Sequence, residues 1–327
     1  MGTPPLDRST IWPYVGGEPG AYYYQRYGHP TGAEAERALG ALEGGTALLF
    51  PSGAAATAAL VLALLEPGDT IALARDAYYG TSVLFRELER WGLHFVEFDQ
   101  TGPPPSDTDL VWIESPSNPL LTVPDFEAAV AHPAPLVVDA TASTPVYLRP
   151  LERGAEFAVH SATKYLGGHH DLLLGAVVCR DAQAAERLRE FRAHTGIVAA
   201  PDTAWLLLRG LKTLEVRMRR HTETGAEIAR RLGEHPGVER VRYPGFGGLL
   251  SFDVAGGADA ARTVETSTRV IRNATSLGGV DSVLETRYRW EGDRVPENLV
   301  RLSVGLEDVD ELWADLNSAL AAAATRT

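Results

Sequence analysis

Residues 160–171 read HSATKYLGGHHD, and the lysine inside this stretch decides how the chain is to be understood. The sequence has 30 lysines and arginines together, of which only Lys164 and Lys212 are lysine. Where a positive charge alone is wanted, this chain uses arginine. A lysine has one use that arginine cannot copy: its amine can lose a proton and condense with a carbonyl, whereas a guanidinium stays protonated and is a poor nucleophile. Rarity alone leaves a chance surface lysine as the plainer reading, and Lys212 in RGLKTL fits it.

The surroundings of Lys164 set the fold. It follows FAVHS (157–161), one of a series of apolar β-rich runs: TALLF (46–50), TIALA (70–74), HFVEF (94–98), LVWIE (110–114), PLVVDA (135–140) and LLGAVVC (173–179). These runs are continuous, not alternating, which predicts strands covered by helices on both faces. The helical stretches between them, such as GAEAERALGALEGG and GAAATAALVLALLEPGD, make this an α/β chain with a mostly parallel, doubly wound sheet. From about residue 181 helical sequence dominates, through TAWLLLRGLKTLEVRMRRHTETGAEIARRLGEH. The strands VERVRYP, GLLSFDV and LVRLSVG and a closing helix then predict a smaller C-terminal α+β domain. The expected division is an irregular N-terminal arm over 1–37, a first domain over 38–215 and a second over 216–327.

A chain of 327 residues has room for two such domains, and 45% hydrophobic with 22% charged residues is the composition of an ordinary globular protein. A formal net charge of −13 argues against nucleic acid. The longest apolar run, 54–65, is too short to span a bilayer, so no membrane association is expected. The first residues, MGTPPLDRST, lack the pattern of an export signal. The single cysteine, Cys179, excludes an internal disulfide and reads as a buried thiol of a cytoplasmic protein. No metal site is expected.

A carbonyl cofactor such as pyridoxal phosphate needs more than a lysine. Its phosphate wants backbone N–H groups at a helix N-terminus, and LLFPSGAAAT supplies Gly53 and Ala54 where a strand gives way to a helix. Ser161 and Thr163 offer hydroxyls beside Lys164. The ring nitrogen wants a carboxylate, and Asp139 ends an apolar strand. Tyr78, in RDAYYGT, can stack on the ring. All follow strand ends, where ligands bind in open α/β sheets. Taken singly, each has a plainer reading: a helix cap, a turn aspartate, a core tyrosine.

Taken in order, the segments resemble the Cys/Met-metabolism family of pyridoxal-phosphate enzymes, which includes cystathionine γ-synthase, cystathionine γ- and β-lyases and methionine γ-lyase. YYQRYGHPTGAEAERALGALEGG, SGAAAT, DAYYGT, ESPSNPLL, VVDATASTP, HSATKYLGGHHD, RGLKTLEVRMRRH, ATSLGGVDS and LVRLSVGLEDVDELWADL follow one another in family order over nearly the whole chain. The resemblance implies an aminotransferase-like fold. It also implies that Lys164 binds the cofactor and shuttles protons, that Asp139 pairs with the ring nitrogen, Tyr78 stacks on the ring and Asn118 meets the ring hydroxyl. Gly53, Ala54, Ser161 and Thr163 would hold the phosphate. Tyr24 and Arg26 would reach the phosphate of a neighbouring subunit, so that a complete site needs a homo-oligomer, dimer or tetramer. Ser276 and Arg301 would hold the substrate α-carboxylate.

The chain departs from the family at several positions. His29 stands for Asn, Ala54 for Met, Ala140 and Ala142 for Asn and Phe, His170 for Ser. Val83 replaces an arginine used for the distal part of the substrate, and Thr275 a glutamate. The N-terminal arm is clipped, and the stretches Pro244–Gly248 and Glu285–Asn298 are short. The resulting expectation is a cystathionine γ-lyase-like C–S elimination, with γ-replacement on an O-acyl-homoserine as the alternative. From other classes, a degenerate non-catalytic interaction or regulatory member is a further reading. The Ser-x-x-Lys of a penicillin-binding serine enzyme, read in SATK, lacks its Lys-Thr-Gly companion.

Overall fold

The structure, a computed structural model, describes residues 4–325. The strands expected around Lys164 are there: β1 (Thr46–Phe50), β2 (Thr70–Ala74), β3 (His94–Phe98), β4 (Leu110–Glu114), β5 (Leu136–Asp139), β6 (Phe157–Ser161) and β7 (Gly175–Cys179). They form one seven-stranded sheet in the order β1-β7-β6-β5-β4-β2-β3. Neighbours β6, β5, β4, β2 and β3 pair in parallel. Only β7 runs the other way, antiparallel to both β6 and β1. Its reversal has a simple cause: β7 follows β6 directly, and the connection 162–174 contains no helix that could carry the chain back across a face. That connection holds Lys164.

Helices α1 (Pro30–Glu43), α2 (Gly53–Leu64), α3 (Tyr79–Leu88), α4 (Phe126–Val130), α5 (Thr144–Tyr147), α6 (Ala182–Thr195) and α7 (Pro201–Leu211) accompany this sheet. One face buries Leu48, Phe50, Trp112 and Val177 against apolar residues of α2, α3 and α6. The other buries Val111, Ile113 and Val138 with Phe126 of α4. Central strands covered on both sides account for their uninterrupted apolar sequence. Cys179 is buried here and its thiol is pushed up to about 12 by that burial, so the residue is structural.

The continuous helical sequence of 203–235 is interrupted at Lys212 and Thr213, and α8 (Leu214–Gly233) belongs to a second sheet. That sheet contains β8 (Val238–Arg242), β9 (Leu249–Val254), β10 (Arg272–Asn273), β11 (Val283–Thr286) and β12 (Leu299–Ser303), in the order β10-β11-β12-β9-β8. With it go α9 (Gly257–Ser267), α10 (Tyr288–Glu291) and α11 (Val309–Ala324). One apolar cluster runs from Leu49, Ala158 and Leu166 to Phe252, Val300 and Leu316, so the two sheets share a continuous core. The boundaries expected at 37/38 and 215/216 each fall inside a helix, α1 and α8.

Before Pro30 there is no helix or strand among the described residues, only isolated bridges joining Ile11 to Tyr24 and Val15 to Glu18. This arm is tied down at its start, where Trp205 Nε1 donates to Pro4 O (3.0 Å) and Asp7 N to Thr31 Oγ1 (3.0 Å). Residues 1–3 of the arm and 326–327 of the expected second domain lie outside the described residues. His29, the family's Asn, caps α1: its Nδ1 accepts from Gly32 N at 3.0 Å, the bond an Asn side chain would make from the same place.

Candidate active site

The carboxyl ends of β1, β2, β4, β5 and β6 all open into one cavity of about 420 Å³, the position at which open α/β sheets bind ligands. Ten of the expected site residues line it: Gly53 and Ala54 after β1, Tyr78 after β2, Asn118 after β4 and Asp139 at the end of β5. Ser161, Thr163 and Lys164 come from β6 and its connection, and Ser276 and Arg301 from the smaller sheet. Tyr24 and Arg26 are not among them. Tyr24 is exposed on the arm. Arg26 borders a separate, larger cavity of about 700 Å³ between arm and α1, where its Nη1 donates to Ala193 O (2.6 Å). The chemistry concentrates in the smaller cavity.

The turn that carries Lys164 is held from outside. Arg217 of α8, almost fully buried, donates to the carbonyls of Tyr165 (2.6 Å) and Gly210 (2.9 Å). Gly168 has φ +74, and a Cβ there would lie 2.2 Å from Arg217 Nη1, so the glycine in TKYLGG is what admits the arginine. Thr163 closes the loop by exchanging two bonds with Leu174: its Oγ1 donates to the carbonyl (3.1 Å) and accepts from the amide (2.9 Å). The Thr163 hydroxyl is thereby committed to the loop. Lys164 Nζ then donates to Ser276 Oγ at 3.0 Å. Burial, reinforced by the nearby Arg301 charge, lowers the Lys164 amine to about 8.

His170, the family's Ser, does not line the cavity. It takes φ +55, and its ring packs so closely on Gly279 that a Cβ there would lie 2.2 Å from it. It braces the loop that leads to Ser276, and Val280 N donating to Gly168 O (2.9 Å) fastens the same two segments.

The residues present fit pyridoxal phosphate. The N-terminus of α2, capped by Ser52 Oγ accepting from Ala55 N (3.1 Å), turns the amides of Gly53 and Ala54 toward an anion. A Cβ on Gly53 would sit 3.0 Å from Ser161 Cβ, so glycine keeps this cradle open. Asp139 Oδ1 accepts from Thr141 N (2.9 Å), and burial raises its carboxyl above the usual range. A protonated ring nitrogen opposite it would offset that penalty. Tyr78 is held by its own amide, which donates to Glu114 Oε2 (2.5 Å), and its phenol is pushed up to about 12 by burial and by Tyr79. Glu114, fully enclosed beside Asp139, is raised well above the usual carboxyl range by desolvation and by that neighbour.

Several side chains of the cavity were not singled out in the sequence: Glu114, Tyr79, Arg287 and Trp290 line it, with Glu285 directly behind. Glu285 Oε1 accepts from Arg301 (2.5 Å), Arg287 (2.8 Å) and Thr275 Oγ1 (3.1 Å), and its Oε2 from Trp290 Nε1 (3.2 Å). Arg301 also donates to Asn118 Oδ1 (2.9 Å) and Ser276 O (3.0 Å), and burial beside Arg287 lowers it to about 10. Arg287 donates in addition to Glu291 (2.7 Å). The available signal was the spacing in LETRYRWE, which places a glutamate two residues before and another four residues after Arg287.

A family described as Cys/Met metabolism PLP-dependent enzyme matches residues 4–321. The chain is 39% identical over 341 residues to a cystathionine gamma-synthase of Mycobacterium tuberculosis, covering 94% of this chain and 88% of that protein. It is 41% identical over 350 residues to an L-methionine gamma-lyase of Streptomyces avermitilis, covering 97% and 84%. Among solved structures, cystathionine gamma synthase from Xanthomonas oryzae pv. oryzae in complex with cystathionine superposes with a TM-score of 0.94 at 34% identity, covering 99% of this chain and 94% of that one.

Proposed function

The chain belongs to the Cys/Met metabolism family of pyridoxal-phosphate-dependent enzymes, and on that premise we propose a trans-sulfuration enzyme that eliminates across a C–S bond of a sulfur amino acid, as cystathionine γ-lyases do. The observation that carries this reading is the placement of Lys164 Nζ, lowered to about 8, within 3.0 Å of Ser276 Oγ and beside Arg301. A near-neutral amine there can take a proton from the substrate α-carbon and return it elsewhere on the substrate. Bound pyridoxal phosphate supplies an electron sink conjugated to that carbon.

Around that step, Arg301 and Ser276 would hold the α-carboxylate, a planar guanidinium being suited to two parallel bonds. Gly53, Ala54 and Ser161 would hold the phosphate, with Thr163 stiffening the loop beside it. Asp139 would keep the proton on the ring nitrogen, Tyr78 would stack on the ring, and Asn118 would meet its hydroxyl. Tyr24 and Arg26, absent from the cavity of their own chain, would serve a neighbouring subunit of a homodimer or homotetramer in the cytoplasm.

The alternative, γ-replacement on an O-acyl-homoserine, draws support from the likeness to a cystathionine gamma-synthase. Against it stands Val83, half-exposed on α3 where the resemblance leads one to expect an arginine. Incubation of holoenzyme with cystathionine, homocysteine, methionine, or O-acetyl-homoserine plus cysteine, followed by product analysis, tests the choice. Release of 2-oxobutyrate without added thiol supports elimination, and accumulation of cystathionine without oxo acid overturns it.

A further inference from the structure

Glu114 lines the cavity beside Asp139, and the proposed function gives it no task. We propose that Glu114 serves the cofactor site as an un-ionised acid, which anchors the backbone of Tyr78 and leaves the negative charge of the pair on Asp139. The inference rests on the proposed function only in taking Tyr78 and Asp139 as the residues that meet the cofactor ring.

Glu114 is the last residue of β4, and β2 pairs with β4 only as far as Trp112. Beyond that point the side chain of Gln100 takes the place of the missing strand. Its Nε2 donates to Glu114 O (3.0 Å) and its Oε1 accepts from Glu114 N (3.1 Å). On the other side, Glu114 and Asp139 are direct partners in the parallel register of β4 and β5. Their side chains therefore leave the sheet on the same face, as do those of Trp112 and Val137, which enter one core two residues earlier. At 4% exposure Glu114 is enclosed by its own chain. Its surroundings do not depend on what a neighbouring subunit adds at the mouth.

Glu114 Oε2 accepts from Tyr78 N (2.5 Å). Tyr78 opens α3 without a side-chain cap, and its ring folds over Gly80, where a Cβ would lie 2.4 Å from Tyr78 Cε1. The glutamate thus holds the backbone of the stacking residue, and the glycine makes room for its ring. Asp139 Oδ1 accepts from Thr141 N (2.9 Å). Among the described residues these backbone amides are the donors to the two carboxyl groups, and no cation pairs with either. Asp76, beyond β2, and Glu291 of α10 add negative potential at Glu114, while His160 of β6 acts on Asp139. Two enclosed carboxyl groups side by side cannot both ionise freely. Glu114, raised well above the usual range by desolvation and then by Asp139, is the one that keeps its proton. A single protonated ring nitrogen then finds a single anion opposite it, and no buried charge is left unmatched.

The test needs no turnover. The infrared difference between wild-type and Glu114→Gln holoenzyme at neutral pH should contain the carbonyl stretch of an un-ionised carboxylic acid. A carboxylate band in its place overturns the proposal. Glutamine copies the neutral acid, with an acceptor for Tyr78 N and a donor on the other arm. Glu114→Gln is therefore expected to keep cofactor affinity within about twofold and to leave the NMR shift of an isotope-labelled ring nitrogen unchanged. Glu114→Ala lacks the anchor and should bind the cofactor at least about tenfold more weakly. A moved ring-nitrogen shift in the glutamine variant, or an alanine variant that binds like the wild type, overturns the proposal. Should the alanine variant fail to fold, the infrared band and the glutamine variant decide. In Asp139→Asn the ring-nitrogen shift should move, and if it stays, the role given to Asp139 falls and this inference with it. A holoenzyme that passes these tests yet releases no oxo acid from methionine or cystathionine leaves the inference standing and removes the trans-sulfuration reading.

Discussion

Lys164 and Ser276 lie 112 residues apart in the sequence, yet Nζ of the lysine donates to Oγ of the serine at 3.0 Å. The lysine comes from the β6–β7 connection of the larger sheet and the serine from the loop after β10 of the smaller, so the amine is placed only when the two sheets are docked. Ser276 pays for this position with φ +103, a backbone region that costs an ordinary residue about 1–3 kcal/mol. It is fixed there by Arg301 donating to its carbonyl and by Lys164 at its hydroxyl. Ser276→Gly removes the strain and the hydroxyl together. We expect it to stabilise the fold by about 1 kcal/mol while lowering kcat/KM at least about tenfold. Thermal unfolding and steady-state kinetics read the two effects, and a glycine variant less stable than the wild type would show that the residue is not strained.

The Lys164 amine sits at about 8, against 10.5 for a free lysine, because burial and Arg301 disfavour its charge. Below that value it is protonated and unreactive toward an aldehyde, and above it the free amine dominates. In cofactor-free protein, the rate at which pyridoxal phosphate attaches should therefore rise with pH through about 8 and level off. Stopped-flow absorbance over pH 6 to 10 measures this. A rate still climbing steeply at pH 10 would contradict the lowered amine, and Lys164→Ala should lose the visible absorbance altogether.

How far the sequence reached depended on how local each signal was. Strands such as 46–50 and 110–114 are buried on both faces, so their apolar runs mark them without help from elsewhere. Lys164, Asp139 and Gly53 were legible because each is a residue type with one suitable chemistry at a strand end. The reversal of β7 was hidden, because nothing in GAVVC states which way its neighbours run. The break at Lys212 and Thr213 carries no proline or glycine, so the helical pattern passes through it. Arg287 and Glu285 become meaningful only when β12 sets Arg301 opposite Glu285 across the second sheet. A lone arginine after a glutamate reads as an ordinary surface pair until that register is known.

Arg301 is expected to act on binding more than on the chemical step. Arg301→Ala should raise KM for any amino-acid substrate at least about tenfold with the cofactor still bound, because a charge-assisted clamp is lost. The same variant leaves Glu285 with Arg287 and Asn118 Oδ1 without its donor, so Arg301→Lys, which keeps the charge, is the control for folding. It should restore stability more fully than KM. An unchanged KM in Arg301→Ala would place the carboxylate seat elsewhere.

Where β6 meets the end of α1, His160 Nε2 and Glu43 Oε1 meet at 2.5 Å with both side chains fully buried. His160 Nδ1 and Glu43 Oε2 have no partner, so this pair is its own sole support. Removing one member strands the other. Glu43→Ala should destabilise by about 3–5 kcal/mol, whereas Glu43→Leu with His160→Leu should recover at least half of that loss. Chemical denaturation of the two variants compares them. A double variant as unstable as the single one would mean that the polar pair itself contributes net stability.

Arg26 lies in the arm, outside the cavity of its own chain, with its guanidinium over Tyr27 at 4.8 Å and bonded to Ala193 O. If the arm completes the site of a neighbour, two different inactive chains can repair one another. Lys164→Ala lacks its own amine but can lend an intact arm, and Arg26→Ala has the amine but a defective arm. In a mixed dimer one site contains both defects and the other neither. Mixing the two chains under conditions that exchange subunits should therefore restore roughly a quarter of wild-type activity, since half of the dimers are mixed and half of their sites are whole. Activity that stays at the sum of the two separate variants would show that Arg26 serves its own subunit or none.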